Sequence, residues 1–273
     1  MKKMQILVNS LVACSVALAM VSTLAAQTMV EGTAKVVRIK GPARYTTGGN
    51  EWHPLKLGAV LKPGTMVQTG KEAGSFVDLV LGDVSIDRPA TYKPSIPSSY
   101  MSSSFQPSAA QNVVRLWENT AMGIDKLSSM QTGMETVTDT QLDLRSGKIS
   151  GSVKKMTAAS KYEIKLPNGV AGIRGTNYRL TAEGVFEILD GSGVIAVVDP
   201  KTGKVVTQVV GGGQQYDAST GVLSPISAGN QQTLDQIFTS MKFVQNQLPT
   251  STANSVAISK VSPGKGKGKG KNQ

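Results

Sequence analysis

Ligands for soft metals and for thiol chemistry are almost missing from this chain. Its 273 residues include one histidine, His53, and one cysteine, Cys14. Zinc and copper centres draw on several such side chains, so no metal site of that kind is expected. A Ser-His-Asp arrangement would have to use His53, which lies between Trp52 and Pro54 at a turn-to-strand junction and reads as an ordinary histidine. With one cysteine, no disulfide forms within the chain. Aromatics are scarce too, at 5%, so a core must be built from Val, Leu, Ile and Ala, which the 40% hydrophobic content allows. Acidic side chains are outnumbered 18 to 29 by Lys and Arg, for a net charge of +11.

What is present begins with an address. Lys2 and Lys3 precede an apolar run from Ile6 to Leu24, broken by Asn9, Ser10 and Ser15 and closing on Ser22-Thr23-Leu24-Ala25-Ala26. Charged start, apolar middle and small residues at the end make residues 1–26 a secretory signal, cut after Ala26. The alternatives are an uncleaved membrane anchor and a lipid-modified Cys14 behind Leu11-Val12-Ala13, which sits early enough to leave a long apolar stub. Cutting after Ala26 removes the only cysteine. Export without disulfides fits a bacterial periplasm or cell surface, and nucleic acid is then not an expected partner.

From Thr33 onward the pattern is short strands and turns. Ala34 to Ile39, Met66 to Thr69, Phe76 to Leu81, Tyr162 to Leu166, Thr176 to Leu180 and Val185 to Val198 read as strands or hairpins punctuated by Gly, Pro, Asn and Asp. Many short strands with regular turns predict an all-β domain over residues 32–217. Residues 93–140 read as an insertion. Its first part is rich in Ser and Pro, and Asn112 to Ser129 is predicted helical because Val113, Leu116, Trp117, Ile124 and Leu127 recur at helical spacing. A C-terminal helix is predicted over 230–248, with Leu234, Ile237, Phe238, Met241, Val244 and Leu248 on one stripe and Pro249 as its stop. Residues 249–273 end in Pro263-Gly264-Lys265-Gly266-Lys267-Gly268-Lys269-Gly270-Lys271 and are predicted disordered, since glycine resists regular structure and like charges repel.

Catalytic motifs are weak. Ser152-Val153-Lys154-Lys155 fits S-x-x-K and Lys201-Thr202-Gly203 fits K-T-G. The serine follows a strand rather than opening a helix, though, the intermediate S-D-N is missing, and the second motif reads as a hairpin turn. Asp78, Asp83, Glu163 and Glu187 are candidates for the paired carboxylates of glycan hydrolysis, although nothing in the sequence makes any two converge. No catalytic, cofactor-binding or metal-binding residue is assigned.

The stretch Gly169 to Leu180, GVAGIRGTNYRL, looks at first like a phosphate loop. A dinucleotide loop needs a helix after its glycines, whereas Thr176 to Leu180 alternates as a strand, and a Walker loop needs a lysine that Gly175-Thr176 lacks. The glycines therefore read as backbone devices: Asn168-Gly169 for a turn at positive φ, Gly172 and Gly175 for a bulge or close approach. Arg174 is expected to cap carbonyls at the bend or to pair with a carboxylate.

Leu166 to Leu180 resembles the signature of FecR-domain proteins, T-P-x-A-x-x-G-V-R-G-T-x-F-x-V. It keeps Pro167, Gly172, Arg174, Gly175 and Thr176, with Tyr178 for Phe, and departs at Leu166 and Gly169. Trp52, Leu55, Gly58, Leu61, Gly64, Val67, Thr69-Gly70 and Ser75 resemble the family's W-x-x-L-x-x-G-x-x-L-x-x-G-D-x-V-x-T-G stretch, with Thr65 for Asp. Val209 to Gln214 resembles its closing strand. The resemblance implies an exported all-β fold, a hairpin-rich roll or solenoid-like sandwich, here with one inserted loop/helix segment and a C-terminal helix. Well-understood members are inner-membrane regulators that hold a sigma factor. Only Met1 to Gln5 precede the apolar run, so a cytoplasmic sigma-binding domain is not expected.

The expected function is a non-enzymatic envelope module that engages a protein or an anionic polymer through sheet edges, the insertion and the basic tail, with no small-molecule cofactor. An accessory part in FecR-type cell-surface signalling and an envelope glycan hydrolase are the alternatives. In the tail, Lys265, Lys267, Lys269 and Lys271 are the candidate contacts for anionic polymer or lipid, through attraction that salt screens; a purely solubilising tail is the other reading. Deleting Pro263 to Gln273 is expected to abolish retention on anionic envelope polymer at low salt. Unchanged retention in that assay would rule the tail out as the contact.

Overall fold

The computed structural model describes residues 28–82, 112–132, 135–199 and 201–247, with backbone alone for 242–247. The leader 1–26, Asp83, the Ser- and Pro-rich start of the expected insertion and the basic tail lie outside the described residues.

The strands are β1 (Val30–Glu31), β2 (Ala34–Lys40), β3 (Ala43–Thr46), β4 (His53–Pro54), β5 (Val60–Leu61), β6 (Thr65–Thr69), β7 (Phe76–Leu81), β8 (Asn112–Trp117), β9 (Ala121–Thr132) and β10 (Glu135–Ser146). They continue as β11 (Lys148–Ser152), β12 (Lys161–Leu166), β13 (Gly169–Ile173), β14 (Asn177–Thr181), β15 (Val185–Asp190), β16 (Ser192–Val198), β17 (Val205–Gly211), β18 (Gln214–Asp217) and β19 (Val222–Pro225), followed by one helix, α1 (Ala228–Gln247). The fold is all-β, as the turn-rich pattern predicts.

Two sheets face each other. The first runs β17-β16-β13-β12-β10-β9-β6-β3-β4, with β1 added on β9, and the second runs β19-β18-β15-β14-β11-β8-β7-β2-β5. The chain lays down one or two strands in one sheet, crosses, and lays down the next in the other. Both sheets therefore grow in the same direction, which is a solenoid-like stack of hairpins. Strand parity explains the pairing. Two strands spent in the opposite sheet bring the chain back reversed, so β6–β9, β8–β11, β11–β14, β13–β16 and β15–β18 are antiparallel. One strand spent there, β11, brings it back in the same direction, and β10–β12 is parallel.

Between the sheets lies one core. Val67, Met122, Leu142, Leu144, Ile164 and Ile195 come from the first sheet, and Leu79, Val114, Leu116, Ile149, Leu180 and Ile188 from the second. Four aromatics, Tyr162, Tyr178, Phe186 and Tyr216, are buried here. Tyr178 meets Tyr162 and Phe186 edge-on, at 6.3 and 6.4 Å between ring centroids, and the two phenol oxygens are 3.2 Å apart. Burial pushes both phenols well above their ordinary pKa, so both stay protonated and one hydroxyl donates to the other. Gly151 makes the space, since a Cβ there would sit 2.3 Å from the Tyr178 ring.

α1 covers the outside of the second sheet. Ser227 caps it, its carbonyl accepting from Gln231 N–H at 2.9 Å and its hydroxyl from Asn230 N–H at 3.4 Å. Leu234, Ile237, Phe238 and Met241 pack with Ile226 onto Val80 and Val113. The expected helix over 230–248 is thus present as Ala228–Gln247, with Leu248 outside the described residues.

The expected helix over Asn112 to Ser129 is corrected. These residues form β8 and most of β9, and β8, β9 and β10 are integral strands of the two sheets. Two physical effects imitate helical spacing. β8 is buried on both faces, Val114 and Leu116 in the core and Val113 under α1, so its alternation is erased. In β9 a bulge against β10 lets Leu142 face Ile124 while Gln141 faces Lys126, which places Ile124 and Leu127 three residues apart on the same buried face.

Candidate functional site

Arg174-Gly175-Thr176 is the crossing from β13 in the first sheet to β14 in the second. Gly175 has φ +69°, and a Cβ there would stand 2.9 Å from Lys155 Cα. Positive φ and the facing backbone both demand glycine. Thr176 binds the adjoining crossings on either side. Its N–H donates to Val153 C=O and its C=O accepts from Val153 N–H, both at 2.9 Å, and its hydroxyl donates to Ser192 C=O at 2.8 Å. Next to it, Asn177 N–H and Nδ2 donate to the two carboxylate oxygens of Asp190, each at 2.9 Å. Three successive crossings, at Val153, Thr176 and Asp190 to Ser192, are thereby locked into one end wall.

The other residues of that signature behave differently from expectation. Arg174 is exposed and bonds to none of the described residues, because Thr176 and Asp190 already satisfy the bend. Gly172 has no positive φ, and a Cβ there meets only Val194 O, at 4.0 Å, so no bulge or close approach needs it. Gly169 is needed for closeness rather than for a turn: its φ is not positive, but a Cβ would sit 2.1 Å from Ala196 O on β16. Pro167 is exposed in the turn between β12 and β13. β14 follows the glycines as a strand, so no helix N-terminus is present to hold a phosphate.

The second concentration of polar side chains runs across the outside of the second sheet, beneath α1. Paired positions on eight neighbouring strands read Arg38, Asp78, Arg115, Ser150, Arg179, Glu187, Gln215 and Ser224. Asp78 is completely buried and takes Arg115 Nε and Nη2 at 2.6 and 2.9 Å, and Arg38 Nε at 2.8 Å. Arg115 lies 4.4 Å from the Phe76 ring centroid and 5.3 Å from that of Trp117, whose indole donates to Ser150 Oγ at 3.0 Å. Farther along, Arg179 forks onto the buried Glu187. α1 touches both clusters: Asn230 donates to Glu187 at 3.4 Å and Arg38 donates to Ser240 C=O at 3.3 Å.

This row decides how the candidate carboxylates can act. Asp78 and Glu187 are four strand spacings apart, about 19 Å, well outside the range used by glycosidase pairs. Each carries its own arginine. Glu163 is on the outer face of the first sheet, opposite Gln141 and Gly172. His53 is exposed on β4, 3.8 Å from Glu51 and stacked near Tyr45. Ser152 ends β11 and Lys155 is exposed, while Lys201-Thr202-Gly203 turns a hairpin closed by Thr202 Oγ1 on Asp199 at 3.0 Å. Among the described residues no three His, Cys, Asp or Glu side chains gather to hold a metal, and no helix is long and apolar enough to cross a membrane. The row went unread in the sequence, though it has a signature: one charge at the centre of an apolar strand in VVRLW, FVDLV, NYRLT and VFEIL.

The fold is a stack of hairpins in two facing sheets, with the crossing at Gly175-Thr176 bonded to the crossings on either side. Residues 107–198 match the family model described as FecR protein. The match takes in β8 to β10, the residues expected to be an insertion, and the resembling stretches at Trp52 to Ser75 and Val209 to Gln214 fall outside it. Two solved structures of a candidate anti-sigma factor from Parabacteroides distasonis are similar at 11% identity. One match covers 47% of this chain and 57% of the other, with a TM-score of 0.34; the second covers 44% and 52%, with 0.32. This chain thus spans little more than half the length of those proteins. A search of curated proteins found no match.

Four outcomes are expected. Replacing Gly175 with Ala costs roughly 1–3 kcal/mol in urea unfolding, whereas Arg174→Ala changes stability by less than about 0.5 kcal/mol. Arg115→Ala, which leaves the buried Asp78 short of its main partner, costs about 3–5 kcal/mol; Arg38→Ala costs less, because that side chain is 32% exposed and Arg115 remains.

Proposed function

We propose that this chain is a non-enzymatic binding module of the bacterial envelope, and that it meets a protein partner with the outer face of the first sheet at its β17 end. The observation that carries this reading is a valine face. Val170 on β13, Val194 and Val198 on β16, and Val205 and Val209 on β17 are 37–69% exposed. Register puts them side by side, Val194 opposite Val209 and Val198 opposite Val205, with Ala196 between Val170 and Thr207. Elsewhere the first sheet carries paired charge, Lys126 with Asp139, Lys165 with Asp125 and Arg145 with Asp143. Water tolerates the charged part; a contiguous β-branched patch gains by being covered. The two inward-locked carboxylates, Asp78 and Glu187, argue against the hydrolase alternative.

A second reading, an accessory part in FecR-type cell-surface signalling, is favoured by the family match over residues 107–198. Its partner would be a separate regulator, and the valine face serves either reading. Export to the envelope follows the leader-like residues 1–26 and is part of the proposal.

Val194→Glu combined with Val209→Glu places two charges in the patch without touching the core. The double variant is expected to keep its thermal unfolding midpoint and to lose at least tenfold of its crosslinked partner in envelope fractions. Equal recovery by parent and variant would overturn the valine face as the contact.

A further inference from the structure

The two sheets end in four edges, and three are short or interrupted. β4 and β5 have two residues each, β4 ending at Pro54, and β19 has four, ending at Pro225. The fourth, β17, is seven residues long, VVTQVVG, with no charge and no proline, and among the described residues it pairs only with β16. Edges of that kind are open templates for another strand.

Which backbone groups face outward can be fixed. Val198 N–H donates to Asn168 C=O, away from β17, and Asp199 N–H donates to Lys204 C=O at 2.9 Å. In an antiparallel ladder the groups alternate. Val206, Gln208 and Val210 therefore bond to β16, while Val205, Thr207 and Val209 present N–H and C=O to the open side. Gly211 fits the same alternation, its N–H being taken by Gln214 Oε1 at 2.8 Å. Val209 C=O is at present capped by the neighbouring Gln208 amide at 2.7 Å, a contact between exposed groups that a strand N–H can replace.

We infer that β17 pairs antiparallel with β17 of a second copy of this chain, about a two-fold axis through Thr207. The strand is self-complementary only in registers that keep outer face with outer face. The register centred on Thr207 also matches the outward-pointing groups. It sets Val205 opposite Val209 of the other copy, Thr207 opposite Thr207, and Val209 opposite Val205, all on the outer face. These are β-branched cross-strand pairs of the kind that stabilise sheets, and no charge is buried. The two first sheets become one continuous sheet, and the two valine faces become one surface of twice the width. The pairing is independent of any other partner, and it would make the binding module proposed above bivalent.

The test uses the chain as its cells produce it. Sedimentation is expected to show a monomer–dimer equilibrium that moves with concentration and is lost in Thr207→Pro. That substitution removes an edge-facing N–H, so it spares the β16 ladder, and an unchanged circular dichroism spectrum checks this. In a Cys14→Ser background, Thr207→Cys is expected to oxidise to a disulfide dimer. Val205→Cys and Val209→Cys should each stay monomeric alone and crosslink when mixed. A single species at monomer mass over the whole concentration range, with Thr207→Cys crosslinking no faster than Thr220→Cys, overturns the inference. So does a dimer that survives Thr207→Pro. Val170→Glu combined with Val194→Glu, two exposed outer-face positions that leave β17 unchanged, separates the two proposals: loss of the envelope partner with the Thr207→Cys crosslink intact supports both, a retained partner overturns only the valine face, and an absent crosslink overturns only the dimer.

Discussion

The structure depends on how the chain crosses between its sheets. Each crossing removes a few backbone groups from ladder pairing, and those groups must bond elsewhere or cost free energy. At one end wall this is met by Thr176, which pairs its backbone with Val153 and its hydroxyl with Ser192. Asp190 adds its carboxylate to the N–H and amide of Asn177. Each crossing is thus satisfied by its neighbour, and the stack is coupled from layer to layer. The Gly175 conformation serves this arrangement, and the exposed Arg174 contributes nothing to it within the described residues.

A second constraint acts on the outside of the second sheet. α1 must cover Val80 and Val113, yet it also passes over a row containing Asp78, Arg115, Arg179 and Glu187. Buried charge is tolerated only when paired, and the row pairs across strands: two arginines to Asp78, one to Glu187. Phe76 lies against the Arg38 and Arg115 guanidiniums, and Trp117 flanks Arg115. The row sets the strands in one register, because a slip of one residue would turn every one of these charges into the apolar core.

The apolar periodicity of the chain was legible where one face of a strand meets water. β12 alternates strictly in KYEIKL and folds as read, and so does the Leu234, Ile237, Phe238 and Met241 stripe of α1. Reading failed where both faces are covered. β8 sits between the core and α1, so its valines carry no period, and the bulge in β9 set Ile124 and Leu127 at a helical interval. Within the signature, Gly175 was readable as a backbone device, while Thr176, read as the first residue of a strand, lies in the crossing just before β14. Gly169 was misread because its requirement is the approach of β16, which is 27 residues away in sequence.

What the sequence determined by itself was local: all-β character from turn chemistry, a glycine set for backbone geometry at Gly175, and a C-terminal helix from its apolar stripe. Only the tertiary structure decided which strands share a sheet, why β10 and β12 run parallel, which charges meet beneath α1, and which edge stays open. Those outcomes depend on how many strands the chain spends in each sheet before it returns, a count over long separations that no local pattern of residues carries.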